Sequence, residues 1–205
     1  MPTFLHVGCG PLRKADTTPG FGAADWNEVR LDIDPDVKPD IVASTTDMSP
    51  VPDASMDGLY SSHNIEHLYP TEVPTALREF ARVLKPDGFA VITCPDLQSV
   101  AAVVAQGKLL EPLYESSMGP ISAIDILFGH RASLAKGNLF MAHRTGFTAQ
   151  VLWQLLSENG FPSVIVRHRP SHFDLWAAAS RAVVPDDRLR ELARMHFPTP
   201  PSAKP

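Results

Sequence analysis

Two glycines, Gly8 and Gly10, close an apolar run that starts at Phe4, and Asp32 closes the next such run. This pairing constrains the fold more than any other feature of the chain. Phe4, Leu5 and Val7 read as a buried strand. The glycines then let backbone approach a ligand with no Cβ in the way. Val29-Arg30-Leu31 is the second run, and 22 residues separate Gly10 from Asp32. A glycine turn after one strand and a carboxylate after the next describe a nucleotide-type crevice, with the carboxylate placed for ribose hydroxyls. A bare glycine pair also occurs in ordinary turns, so it needs support from the rest of the chain.

The bulk properties leave room for that reading. The 205 residues suit one domain, and 44% of them are hydrophobic, enough for a sizeable core. No apolar run reaches the ~18 residues of a membrane span. That leaves no membrane as an expected partner, and the net charge of −5, with lysine and arginine dispersed, argues against nucleic acid as the main ligand. Cys9 and Cys94 both lie in apolar runs and read as reduced core thiols. Strand one begins almost at the N-terminus, which leaves no space for a signal peptide and makes the cytoplasm the expected location.

Strand-like and helix-like segments alternate through the chain, which argues for a parallel α/β sheet with its ligand at the carboxyl ends of the strands. Strands are expected at 29–32, 41–43, 57–62, 89–93, 164–166 and 175–179. Thr71 reads as the N-cap of a helix carrying Val73, Leu77, Phe80, Ala81 and Leu84, stopped by Lys85-Pro86-Asp87-Gly88. Pro95-Asp96 opens a helix through about Ala105. Thr148 caps another, with Trp153, Leu155 and Leu156 expected in the core. Residues 107–146 show no clean period. A loop that long in a compact domain is usually functional, so the segment is expected to form a cap over the acceptor. One domain is expected over 1–197, with a disordered tail at 198–205.

The residues resemble a known family. Leu5-His6-Val7-Gly8-Cys9-Gly10, Leu31-Asp32-Ile33-Asp34-Pro35, Pro52-Asp53-Ala54-Ser55-Met56-Asp57, Tyr60-Ser61-Ser62-His63-Asn64-Ile65-Glu66-His67-Leu68 and Arg82-Val83-Leu84-Lys85-Pro86-Asp87-Gly88 look like class I S-adenosylmethionine-dependent methyltransferases, of the small type-11-like bacterial kind. The resemblance implies a Rossmann-like sheet of seven mostly parallel strands in the order 3-2-1-4-5-7-6, here with trimmed helices and a cap insertion after strand five. It implies S-adenosyl-L-methionine as cofactor and methyl transfer, with a small-molecule acceptor. Gly8 and Gly10 would pass under the methionine part, Asp32 would accept both ribose hydroxyls, Asp47 and Met48 would read adenine, and Ser62 and His63 would lie beside the methyl group. Two departures stand out: His6 and Leu12 occupy positions where the family usually has an acidic residue and a third glycine.

Other residues carry weaker signals. His63 and His143 are the candidate catalytic groups, His143 from its polar loop before a helix. Tyr114, His130 and Arg131 lie in the same insertion with nothing to fix their geometry. His63-Asn64-Ile65-Glu66-His67 matches an H-x-x-E-H zinc signature, but it follows a parallel strand rather than lying on a long helix, so no metal is expected. The short connections around strand three leave one sheet face under-covered, which suggests a homodimer. Two rival functions remain. A non-catalytic cofactor-binding subunit would keep the same fold. An NAD-dependent oxidoreductase or epimerase would want a glycine where Arg13 stands.

Overall fold

The computed structural model describes residues 1–116 and 118–199. The chain enters β1 (Thr3–Val7) at once, makes a one-turn helix α1 (Pro19–Gly22), and returns in β2 (Asn27–Asp32) and the two-residue β3 (Ile41–Val42). Next come β4 (Met56–Ser62), α2 (Val73–Val83), β5 (Leu84–Pro95) and α3 (Leu97–Ala105). An insertion follows, made of the hairpin β6 (Pro112–Ser116) and β7 (Gly119–Ser122) and two short helices, α4 (Ala123–Phe128) and α5 (Arg131–Ala135). The chain ends with α6 (Ala149–Glu158), β8 (Ser163–Arg169), β9 (Asp174–Ser180) and α7 (Asp186–His196).

The main sheet has seven strands in the order β3-β2-β1-β4-β5-β9-β8. The first five pair in parallel, and β9 runs antiparallel to both β5 and β8. Counting only the strands of this sheet, the order is the expected 3-2-1-4-5-7-6.

The period-2 alternation of each strand divides the core in two. Leu5, Val7, Ala90, Ile92, Ala177 and Ala179 face one side, where α2 and α6 supply Leu77, Phe80, Leu152 and Leu156. Phe4, Phe89, Val91 and Ala178 face the other. There the expected gap is filled by the chain's own loop: Phe21 of α1 stacks on Phe4 at 4.5 Å and on Phe89 at 5.5 Å, with Trp26 edge-on to it at 5.0 Å. Leu192, Ala193 and Phe197 from the α7 end complete that layer. The apolar face over β1, β4 and β5 is therefore covered within one chain, while Val42 of β3 and Ile33 stay exposed. A single aromatic on a one-turn helix does what a full crossover helix would otherwise do.

Several local expectations are corrected. The N-cap of α2 is Glu72, not Thr71, and the Glu72 carboxylate accepts from the Tyr69 amide at 2.8 Å. The helix ends at Val83, because Leu84 already pairs with Met56. Residues 85–88 then bulge out before Phe89 pairs with Gly58, tied down by Lys85 Nζ on Asp57 at 2.6 Å. Trp153 is half exposed, on the outer side of α6, while Leu152 and Leu156 take the core positions. Residues 107–146 are not one long loop: Leu109, Leu113, Tyr114 and Ile121 pack with Ala123 and Ile126 onto Val100 of α3. Of the expected tail, residues 200–205 lie outside the described residues.

Candidate functional site

The parallel strands end together, and the chain leaves β1, β2 and β4 along the same edge. At that edge Gly8 and Gly10 turn the backbone with φ of +64° and +51°. The Gly8 and Cys9 amides donate to Leu31 O, which pins the turn to β2. The Gly10 amide donates to Asp32 Oδ2 at 2.7 Å and the Asp34 amide to Asp32 Oδ1 at 2.9 Å. The two expected sequence signals, the glycine turn and Asp32, thus meet directly.

Beneath the turn lies a residue that the sequence reading passed over. Arg30 is buried, and its guanidinium donates to Gly10 O at 2.5 Å, Leu12 O at 3.0 Å and Lys38 O at 2.8 Å. It fixes the loops after β1 and β2 from below. A lone charge between Val29 and Leu31 was the available signal, since a charge in a buried strand must find partners. His6, also buried, places Nδ1 2.7 Å from Glu28 Oε1; burial pulls its pKa down and the Glu28 carboxylate resists.

A cleft of about 290 Å³ opens over this turn, near the lower end of small-ligand pockets. Gly8, Gly10, Asp32, Ser44, Thr45 and His63 line its floor, and Asn138, Phe140 and Met141 of the insertion reach it from above. Space at Gly10 is open, with nothing within 4 Å of where a Cβ would stand. Asp47 and Met48 do not line the cleft. Asp47 is exposed and accepts from the Ser49 amide, while Met48 is buried with its amide donated to Glu79. Their neighbours Ser44 and Thr45 hold the wall instead. Ser62 also turns away, its hydroxyl 2.8 Å from that of Thr93.

His63 lies at the cleft in a left-handed conformation, φ +48°, a strained choice for a residue with a Cβ. Its ring sits between two buried carboxylates, 3.4 Å from Glu66 and 3.7 Å from Asp174. The ring is half exposed, and the two carboxylates outweigh its partial desolvation and raise its pKa to about 9. At neutral pH it is an imidazolium and takes up no proton. Asp174 is shared with Arg169 in a two-pronged ion pair.

His143 behaves differently. Its Nδ1 donates to Ile126 O at 2.8 Å, which leaves the lone pair on Nε2. Burial pulls its pKa down, so it is neutral. It lines a second hollow of about 240 Å³, between α3, α4 and the 143–146 segment, with Leu97, Val100, Ile126 and Phe128. Arg144 lines both hollows. The Arg144 and Thr145 amides donate to Glu66 O, which ties this segment to the turn after β4.

The weaker candidates have structural partners. Arg131 pairs with the buried Asp125, His130 meets the Ser133 hydroxyl, and Tyr114 stacks near His172 and Phe173. A larger surface depression, about 680 Å³, lies at the opposite ends of β4 and β5. Its Arg82 is paired with Glu79 and Asp53, and Arg78 and Arg181 donate to Asn159 and Leu84 O.

Known proteins share this fold. A family model described as a methyltransferase domain matches residues 5–92. No similar sequence is found among curated proteins. Among solved structures, an S-adenosylmethionine-dependent methyltransferase from Methanosarcina mazei is 15% identical with a TM-score of 0.57, over 89% of this chain and 93% of that one. One from Archaeoglobus fulgidus is 15% identical with a TM-score of 0.55, over 87% and 86%. The 1,6-didemethyltoxoflavin-N1-methyltransferase of Burkholderia thailandensis, solved with its substrate and S-adenosylhomocysteine, is 15% identical with a TM-score of 0.53, over 89% and 72%.

Proposed function

We propose that this chain is a class I S-adenosylmethionine-dependent methyltransferase that methylates a small molecule held in the hollow under the insertion, a reading supported by the methyltransferase-domain model over residues 5–92. The observation that carries the reading is the pair of adjoining hollows, one floored by the glycine turn and Asp32, the other walled by apolar groups and His143, with Arg144 on both.

The residues of the first cleft fit the cofactor. Open space at Gly10 admits a ligand against backbone. Asp32 keeps lone pairs for two hydroxyls, because each of its oxygens accepts only one backbone amide. Ser44 and Thr45, rather than Asp47 and Met48, stand where an adenine would be read. When bound, the cofactor supplies an electrophilic methyl group on a sulfonium.

The chain's part is to place the acceptor. Leu97, Val100, Ile126 and Phe128 give the second hollow an apolar lining, and holding a nucleophile in line and near contact is the larger share of such catalysis. The cationic His63 orients the turn after β4 through Glu66 and Asp174. Of the two expected catalytic histidines, only His143 has a lone pair to offer the acceptor. The length and apolar lining of the hollow favour a small acceptor over a polymer. Among the described residues no helix is long and apolar enough to cross a membrane.

Two measurements test this. S-adenosylhomocysteine at ~100 times its Kd should add about 2.7 kcal/mol and raise Tm by roughly 5–10 °C, and NAD should not. Leu97→Trp, which fills the mouth of the second hollow, should leave S-adenosylhomocysteine affinity unchanged and abolish transfer from labelled cofactor. A thermal shift with NAD alone would overturn the cofactor, and retained transfer in Leu97→Trp would move the acceptor elsewhere.

A further inference from the structure

We propose that Glu66, His67 and His143 form a binding site for one divalent first-row transition ion, with zinc as the probe. The three meet from two distant segments, and their ligand atoms lie within 4.8 Å of one another. In a tetrahedral site with bonds of ~2.0–2.1 Å, ligand atoms stand about 3.3 Å apart. Closing the gap takes small rotations of the side chains and leaves the backbone in place.

The second observation is Glu66 itself. Its side chain is fully buried, and neither carboxylate oxygen has a hydrogen-bond partner among the described residues. His63 Nδ1 stands 3.4 Å from Oε1, an ion pair without hydrogen-bond alignment, and Oε2 is left with no donor among the described residues. The His63 pair offsets part of the cost of burying this carboxylate, and a cation between Glu66 and the two imidazoles would take the oxygen that no donor reaches. The fold ties the three groups together: His67 belongs to the same turn as Glu66, and the Arg144 and Thr145 amides on Glu66 O bring His143 alongside. His67 and His143 rings pack edge to face with centroids 4.9 Å apart.

The histidines carry outer hydrogen bonds of the kind that orient metal ligands. His143 Nδ1 donates to Ile126 O, and His67 Nδ1 faces Ala142 O at 3.0 Å. The bond to Ile126 O fixes Nε2 of His143 as its ligating atom, while His67 Nε2 faces His63 O at 3.2 Å and must leave that carbonyl to bind the ion, with Nδ1 held on Ala142 O. Two histidines and one carboxylate are a ligand set that leaves at least one position open. His67 lines the first cleft and His143 the second hollow, so the ion would stand where the two adjoin. The H-x-x-E-H spacing reads differently here. His63, its first residue, is the cationic neighbour rather than a ligand, and the second histidine ligand comes from residue 143.

The ion site stands independently of the methyl-transfer reading, because ion binding is measured on the protein alone. In the ion-loaded protein the His143 lone pair is taken, and the acceptor would meet the open position instead. The experiment is titration of tag-free, chelator-treated protein with Zn²⁺ by calorimetry, and with Co²⁺ by visible absorption. The expected result is ~1 equivalent of Zn²⁺, a d–d spectrum of low coordination number with Co²⁺, and at least ~10-fold weaker binding in both His143→Ala and His67→Ala. His168→Ala, in a separate pair with Asp96, should bind as wild type. Absence of stoichiometric binding would overturn the proposal, as would binding that survives both His143→Ala and His67→Ala. If one of these variants fails to fold, the other decides. S-adenosylhomocysteine affinity, measured on the same samples, shows separately whether the cofactor cleft is as described.

Discussion

His196 and His63 are the same side chain placed in opposite surroundings, one against a face of the sheet and the other just past the end of β4. His196 is fully buried among rings, 4.4 Å from the centroid of Phe21 and 5.2 Å from that of Phe89. Its Nδ1 meets the Thr18 hydroxyl at 2.7 Å and its Nε2 has no partner among the described residues. Burial, helped slightly by Arg188, pushes its pKa down to about 4. His63 has two carboxylates within 4 Å and is pushed the other way, to about 9. The aromatic plug is thus built for stability and expels charge. The polar end of the sheet gathers charge, strain and unsatisfied groups where ligands are expected. Changes in the first region should move stability and spare binding, and changes in the second should do the reverse.

The largest expected effect breaks the plug. Phe21 is fully buried and touches Phe4, Trp26, Tyr60, Phe89 and His196. Phe21→Ala should cost about 3–5 kcal/mol and lower Tm by roughly 6–20 °C. Well below that Tm, calorimetry should find S-adenosylhomocysteine affinity unchanged. A parallel loss of affinity would show that the two regions are coupled through β1 and β4.

The next effect uses pH on the same region. An unfolded histidine titrates near 6.5, and folded His196 near 4. Between those values the unfolded chain holds a proton that the folded chain refuses. His196 therefore contributes full stability above pH ~6.5 and loses it as pH falls toward 4, by up to about 3 kcal/mol. Urea unfolding at pH 7 and pH 4.5 should show a steeper loss for wild type than for His196→Leu, in which this titration is gone. Equal losses would place a charge-accepting partner near His196.

These two regions also differ in how far the sequence revealed them. The polar end was announced by glycines, Asp32 and the alternation of strands, because a ligand crevice needs particular residue types at particular spacings. The plug was invisible: Phe21 sits in a stretch of Pro, Gly and Thr with no helical period, and its role follows from where β1 and β5 place Phe4 and Phe89. Arg30 was visible only as a misfit in an apolar strand. The assembly of Glu66, His67, His143 and Asp174 depends on contacts between residues up to 108 apart in the chain, and local pattern carries no information at that range. Asp47 and Met48 stand outside the cleft, and the Met48 amide is taken by Glu79 on α2, a contact made across the chain.

At the polar end, Asp32→Ala should weaken S-adenosylhomocysteine by about 2–4 kcal/mol through loss of two charge-assisted bonds. The same change releases the Gly10 and Asp34 amides, so Asp32→Asn, which keeps one acceptor oxygen, should fall between Ala and wild type. Calorimetry measures both. Wild-type affinity in Asp32→Ala would put the ribose elsewhere in the cleft and remove the reason for calling this region the ligand end.

The smallest expected effect on the fold is also the sharpest probe of the comparison. Gly8 and Gly10 both have positive φ, but their surroundings differ. A Cβ on Gly8 would stand 2.5 Å from Asn64 Cγ, whereas one on Gly10 would meet nothing within 4 Å. Gly8→Ala must displace Asn64 from its hydrogen bond to Ser61 at 3.3 Å as well as bear the backbone strain. Gly10→Ala bears only the strain, about 1–2 kcal/mol, and its methyl group projects into open space. The free protein should therefore lose only a few degrees of Tm in Gly10→Ala. The same methyl group occupies room that the cofactor needs against the backbone, so the S-adenosylhomocysteine-induced rise in Tm should largely disappear. Melting curves of Gly10→Ala with and without S-adenosylhomocysteine decide it. A small loss of stability with the full ligand-induced rise would mean that the cofactor does not cross this turn, and the space over Gly10 would then belong to the loop alone.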